Sequence, residues 1–132
     1  MTRTLHLVAG LVYEKGRYPD GTPVTGAPTQ GANLWLVKSF TDGPAAKFDI
    51  GFGGNYRNGN FIYNFDTGEF VFFPRKYYSF STAVGYQFSA DTKLNLTIDN
   101  LLDRVNYLPP NDPTAVVPDK RRTARLILTT KF

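Results

Sequence analysis

Taken two residues at a time, the chain separates into faces. Between 46 and 57, Phe48, Ile50, Phe52 and Tyr56 share one side of an extended backbone, opposite Asp49, Gly51, Gly53, Asn55 and Arg57. Successive side chains of a strand point to opposite sides, so a period of two is the mark of a strand. The same split recurs over 4–14, 31–40, 76–88, 92–102 and 122–132, giving six segments of roughly ten residues. Leu5, Leu7, Ala9, Leu11 and Tyr13 form the apolar side of the first segment, and Tyr78, Phe80, Val84, Tyr86 and Phe88 that of the fourth. Leu94, Leu96, Ile98 and Leu102 follow in the fifth, and Ala124, Leu126, Leu128 and Phe132 in the last, where Ile127 is out of step. The second segment is the least regular, with Lys38 among Ala32, Leu34, Leu36 and Phe40, and Trp35 among Asn33 and Ser39.

The connections alternate long and short. The long ones are "KGRYPDGTPVTGAPTQG", the stretch from Asn58 to about Arg75, and "RVNYLPPNDPTAVVPDKR"; the short ones are "TDGPAA" and "SADT". In an antiparallel up-and-down meander all long loops then leave one end of the sheet and all short turns the other. That asymmetry matches bacterial outer-membrane barrels, whose periplasmic turns are short and extracellular loops long. Within the second long loop, "NFDTGEF" predicts a small hairpin, with Phe61, Tyr63 and Phe65 running up and Phe70 and Phe72 running back.

Alternation alone does not say which face is wet. A soluble β-barrel or β-sandwich ligand-binding module hides its apolar face, whereas a membrane barrel turns it to lipid and keeps polar residues and glycine inside. Aromatics near segment ends, among them Tyr13, Phe40, Tyr56, Tyr77, Tyr78, Tyr86, Phe88 and Phe132, favour the membrane reading as two interfacial girdles. Strands of ~10 residues tilted by ~40° also span an apolar band of ~25 Å.

Composition narrows the chemistry. Twelve glycines, nine prolines, eleven phenylalanines and eight tyrosines suit strands and turns. The formal charge of +4 comes from scattered residues rather than a basic stripe, so nucleic acid is not an expected partner. With no cysteine and only His6, neither a metal site nor a cofactor nor a catalytic base is supplied, and no enzyme is expected. Asp66 and Glu69 flank a turn-forming Asp-Thr-Gly, which needs no chemistry to explain it. "NLT" at Asn95 matches a glycosylation acceptor but lies in mid-strand. Lys47, Asp49, Lys93, Asp99 and Arg125 fall on the polar face as solvated or paired wall residues.

The run "NLTIDNLLDRVNY", then a long loop, then "RRTARLILTTKF" resembles the last two strands of a TonB-dependent outer-membrane receptor. Leu94, Leu96, Ile98, Asn100, Leu101, Leu102, Asp103 and Tyr107 carry the first part, and Arg122 and Phe132 the second; "GAPTQGANLWLVKSF" resembles an earlier strand entry of that family. Thr130 stands where the family often has tyrosine. The resemblance implies an all-β fold, the C-terminal part of a barrel of 22 strands, with the plug domain outside these residues. It implies a place in the bacterial outer membrane, with the plug, the remaining barrel strands, the TonB complex through the plug, lipid and lipopolysaccharide as partners. It also implies active import of a ferric siderophore or similar scarce nutrient. On that footing Arg57, Phe61, Tyr63, Phe65, Phe70, Phe72, Arg75 and Lys76 are the candidate ligand-binding residues, since aromatics with cations can stack on and pair with an anionic, aromatic chelate. Leu126, Leu128 and Phe132 are the candidate membrane-assembly signal. Six such strands do not close on themselves, so the isolated chain is expected to aggregate or to need detergent.

Overall fold

The computed structural model describes residues 4–26, 28–73, 76–108, 115 and 117–131. The six periodic segments become β1 (Thr4–Tyr13), β2 (Gln30–Ser39), β3 (Phe48–Asn58), β6 (Tyr77–Gln87), β7 (Thr92–Asp99) and β10 (Thr123–Thr130). They form one sheet in the order β1-β2-β3-β6-β7-β10, every pairing antiparallel. Two small hairpins rise from the long loops: β4 (Asn60–Asn64) with β5 (Glu69–Phe73), and β8 (Tyr107–Leu108) with β9 (Val117–Pro118). No alternating pattern announces the second, because each arm has only two residues.

The register stacks the sequence faces into rows. Leu7, Leu36, Phe52, Thr82, Ile98 and Ala124 are successive partners across the sheet, as are Leu5, Lys38, Ile50, Val84, Leu96 and Leu126. One face is therefore an apolar band, and among the described residues nothing covers it. Leu11 is 87% exposed, Leu126 65% and Phe52 49%, while Ile62 of the β4 hairpin is the only buried hydrophobic residue among those described. A soluble sandwich or barrel needs a second layer or a closed interior to bury this band. The sheet is a single open layer.

The opposite face is lined by glycine and polar groups, and it accounts for the misplaced tryptophan. Trp35 lies flat across β3: a Cβ on Gly51 would stand 2.8 Å from its ring, and one on Gly53 would fall inside it. Gly85 does the same for a charge pair. Lys93 reaches from β7 across β6, over Gly85, to Asp49 of β3, with Nζ and Oδ2 2.6 Å apart. At the irregular short-turn end Lys38, the one cation in the apolar rows among the described residues, places its Nζ 5.9 Å from the Phe40 ring centroid. Its stem thus lies along the apolar face while its charge sits at the edge.

Two local readings need correction. The fifth strand stops at Asp99, not at Leu102, because Asn100 turns into the left-handed region (φ 51°) and buries its side chain. Phe65 is not part of the hairpin's rising arm: β4 ends at Asn64, and Phe65 opens the turn that Gly68 (φ 68°) closes.

Candidate functional site

All three long loops lie at one end of the sheet, where side chains hold much of the backbone that the two hairpins leave unpaired. Because β6 outruns β7, its first residues lack a strand partner on that side. The segment after Asn100 supplies one. Leu101 N–H donates to the Phe80 carbonyl at 2.7 Å. Asn106 acts as a surrogate peptide: its Nδ2 donates to the Tyr78 carbonyl at 2.9 Å and its Oδ1 accepts from Tyr78 N–H at 3.4 Å. Asn100 fixes the other side of the loop. Its Nδ2 donates to the carbonyls of Arg104 (2.8 Å) and Lys120 (3.1 Å), and its Oδ1 accepts from Arg104 N–H (3.1 Å).

Charges complete the clasp. Asp103 accepts from Arg121 Nε (3.0 Å), Arg121 Nη2 (2.7 Å) and the Arg122 N–H (2.9 Å). These donors, the Arg121 side chain foremost, hold the Asp103 carboxyl at about 2, against an ordinary 3.8. The Arg104 guanidinium lies 3.8 Å from the Tyr78 ring centroid and also bonds its hydroxyl, while the Tyr77 hydroxyl donates to Asp119 at 2.7 Å. The run "DNLLDRVNY" is thus a loop anchor, in which Asn100, Asp103, Arg104 and Asn106 each hold a partner elsewhere in the loop or on β6.

The first long loop packs against the β4–β5 hairpin. Gly26 N–H donates to the Phe61 carbonyl (3.2 Å) and Thr29 N–H to the Gly59 carbonyl (2.8 Å). Asp20 Oδ1 closes the loop's own turn by accepting from Thr22 N–H (2.9 Å) and Oγ1 (2.6 Å), bonds that lower the Asp20 carboxyl below its usual range. Between loop and hairpin lies a cavity of about 440 Å³, lined among others by Tyr13, Lys15, Arg17, Phe61 and Phe72.

The candidate ligand residues do not converge on one point. Phe61 and Phe72 face each other at 5.1 Å and line that cavity. Tyr63 packs edge-on against Phe65 (5.0 Å) and Phe70 (5.2 Å), so these three rings mainly satisfy one another. Arg57 stacks over Tyr77, 4.1 Å from its centroid, in a separate crevice of about 40 Å³. Lys76 is exposed, and Arg75 lies outside the described residues. Leu126 and Leu128 sit exposed on the apolar face opposite Leu96 and Leu94; Phe132 lies outside the described residues. Lys15 and Arg17 escaped the sequence reading because they stand in a loop with no periodicity. The only available signal was the turn chemistry of "PDGT" between them and β2.

No protein-family model and no curated protein matches the sequence. Solved structures do match the shape. The ferripyoverdine receptor of the outer membrane of Pseudomonas aeruginosa, bound to ferripyoverdine, superposes with a TM-score of 0.76 at 19% identity over 97% of this chain. This is the fold of an outer-membrane receptor wall. The same receptor, FpvA, bound to a heterologous pyoverdine gives 0.77, and the ferric-catecholate import receptor Fiu from E. coli K12 gives 0.74, also at 19% identity. The chain spans 17% of the length of FpvA and 19% of that of Fiu. Within this shared fold the apolar rows and the glycine-lined face are the two sides of one sheet, with the long loops at one end and the short turns at the other.

Proposed function

We propose that the chain is a wall segment of an outer-membrane active-transport receptor that imports a ferric siderophore or a similar scarce nutrient, energised through TonB and a plug domain. The observation that carries this reading is the single-layered sheet with its exposed apolar rows, the one from Leu5 to Leu126 interrupted only by Lys38. In water that face would be a large association patch; against hydrocarbon it is the expected surface. The likeness to receptors for ferripyoverdine and a ferric catecholate supports the substrate class. The long loops then lie outside the cell and the short turns in the periplasm. The segment supplies wall and loops, with Arg57, beside Tyr77 on the glycine-lined face, the candidate ligand residue on the barrel's inner side, and it performs no catalysis itself.

Single cysteines test the orientation cleanly within this segment, since the sequence has none. In the full-length receptor, Asp66→Cys at the hairpin tip should react with a membrane-impermeant maleimide in intact cells. Ala90→Cys in a short turn should react only after the outer membrane is permeabilised. Equal labelling of both sites in intact cells would overturn the membrane assignment. Substrate class is tested by iron-limited growth of cells whose only receptor is this one, with ferric hydroxamates and ferric catecholates supplied in turn. Growth on neither would remove the siderophore reading while leaving the topology intact.

A further inference from the structure

The cavity between the first long loop and the β4–β5 hairpin opens on the apolar side of the sheet. Tyr13 and Gln30 are register partners at the heads of β1 and β2, and both continue the rows of Leu11 and Ala32 on that face. Phe61 and Phe72, cross-strand partners on the hairpin, line the same cavity, whereas Asn60 and Phe73, the next pair, line the crevice shared with Arg57 and Tyr77 of the glycine face. The hairpin therefore turns Phe61 and Phe72 outward.

An aromatic and aliphatic floor, with Val24 added to these rings, lies beside two cations. The Lys15 ammonium stands 5.6 Å from the Tyr13 ring centroid, and its interaction with Tyr13 holds its pKa above the usual value. Arg17 donates Nη1 to the Gly21 carbonyl at 2.6 Å, which uses one of five guanidinium donors. Glu14 also borders the cavity and opposes an anion there. Resting on the outer-membrane reading above, we propose that this cavity binds a phosphate-bearing membrane lipid of the outer leaflet. Its phosphate pairs with Lys15 and Arg17, and the start of an acyl chain lies over Phe61, Phe72 and Tyr13 and continues onto Leu11. The position fits: the cavity stands where strand gives way to loop, the level at which headgroups meet hydrocarbon. A siderophore held within the barrel would meet the other face.

The test uses the full-length receptor in non-ionic detergent, with native mass spectrometry reading the binding of lipid A, of lipid A stripped of its phosphates, and of lipid A in competition with inorganic phosphate. Replacing both cations (K15A with R17A) should weaken lipid A binding roughly thirtyfold, at about tenfold per 1.4 kcal/mol and about 1 kcal/mol per cation. It should also erase the preference for the phosphorylated form. Glu14→Gln, which leaves the Glu14 N–H bond to the Thr29 carbonyl in place, should tighten binding, and Phe72→Ala should weaken both lipid forms alike. Unchanged binding in the cation variant, equal binding of the stripped lipid, or displacement by inorganic phosphate at equal concentration would each overturn the proposal. Surface labelling at Asp66→Cys separates the two failures. Correct labelling with unchanged lipid binding removes the lipid site alone, whereas absent labelling removes the membrane reading beneath it.

Discussion

Asn100 lets the loop anchor be measured. It is 5% exposed, makes three side-chain hydrogen bonds to the backbone of Arg104 and Lys120, and holds φ at 51°. Asn100→Gly removes the bonds but suits the backbone, at about 1 kcal/mol net for each bond, or about 3 kcal/mol for the set. Asn100→Ala loses the same bonds and adds the cost of a left-handed alanine, about 1 kcal/mol more. These costs fall on local opening of the loop rather than on global unfolding, so hydrogen exchange of the full-length receptor in lipid vesicles is the assay. The Arg104 amide should exchange about a hundredfold faster in the glycine variant and approaching a thousandfold faster in the alanine variant. If both variants exchange at the parent rate, the side chain does not hold the loop. If they change equally, the backbone conformation carries none of the cost.

Three further predictions follow from the faces and the charges. Gly51→Ala forces a methyl against Trp35 and should cost about 1–3 kcal/mol in urea unfolding of the receptor in vesicles, a penalty that disappears in a Trp35→Ala background. An undiminished penalty there would exonerate the tryptophan. Leu126→Arg should cost about 2–4 kcal/mol in a bilayer, while Ile127→Arg on the glycine face should cost far less; the reverse order would invert the assigned faces. The Asp103 carboxyl titrates at about 2 when folded and 3.8 otherwise, so its contribution is complete above the higher value and is lost as pH falls through the lower. Protease resistance of the last long loop should therefore hold down to about pH 4 and decline toward pH 2, and Asp103→Asn should abolish that acid step.

The strands were legible because a sheet with one apolar face writes period two into the sequence over ten residues at a time. That signal placed β1, β3, β6 and β10 to within a residue or two, and the register confirms which side chains share a face. The loops were not legible in the same way. Nothing in "DNLLDRVNY" itself says that Asn106 will bracket Tyr78, twenty-eight residues back in the chain, because such a bond depends on β6 outrunning β7. Trp35 looked like an irregularity for a related reason. Its fit is decided by glycines on a neighbouring strand, which a reading of one segment does not see. The aromatic hairpin was foreseen, but period two does not tell which way a hairpin turns its rings once Gly59 (φ 69°) has reset the chain after β3.

The tryptophan resting on two glycines also constrains how this sheet can evolve. Residues 35 and 51 form one inherited unit: residue 51 cannot acquire a side chain while the indole is present, and loss of the indole leaves a hollow that it could then fill, whereas residue 53 is kept bare by the Leu34 carbonyl as well. Among divergent relatives a large aromatic at 35 should travel with bare backbone at 51, and a small residue at 35 should release 51 but not 53. That linkage would be visible in sequences alone, as a two-column covariation on adjacent strands beside a glycine that stays fixed.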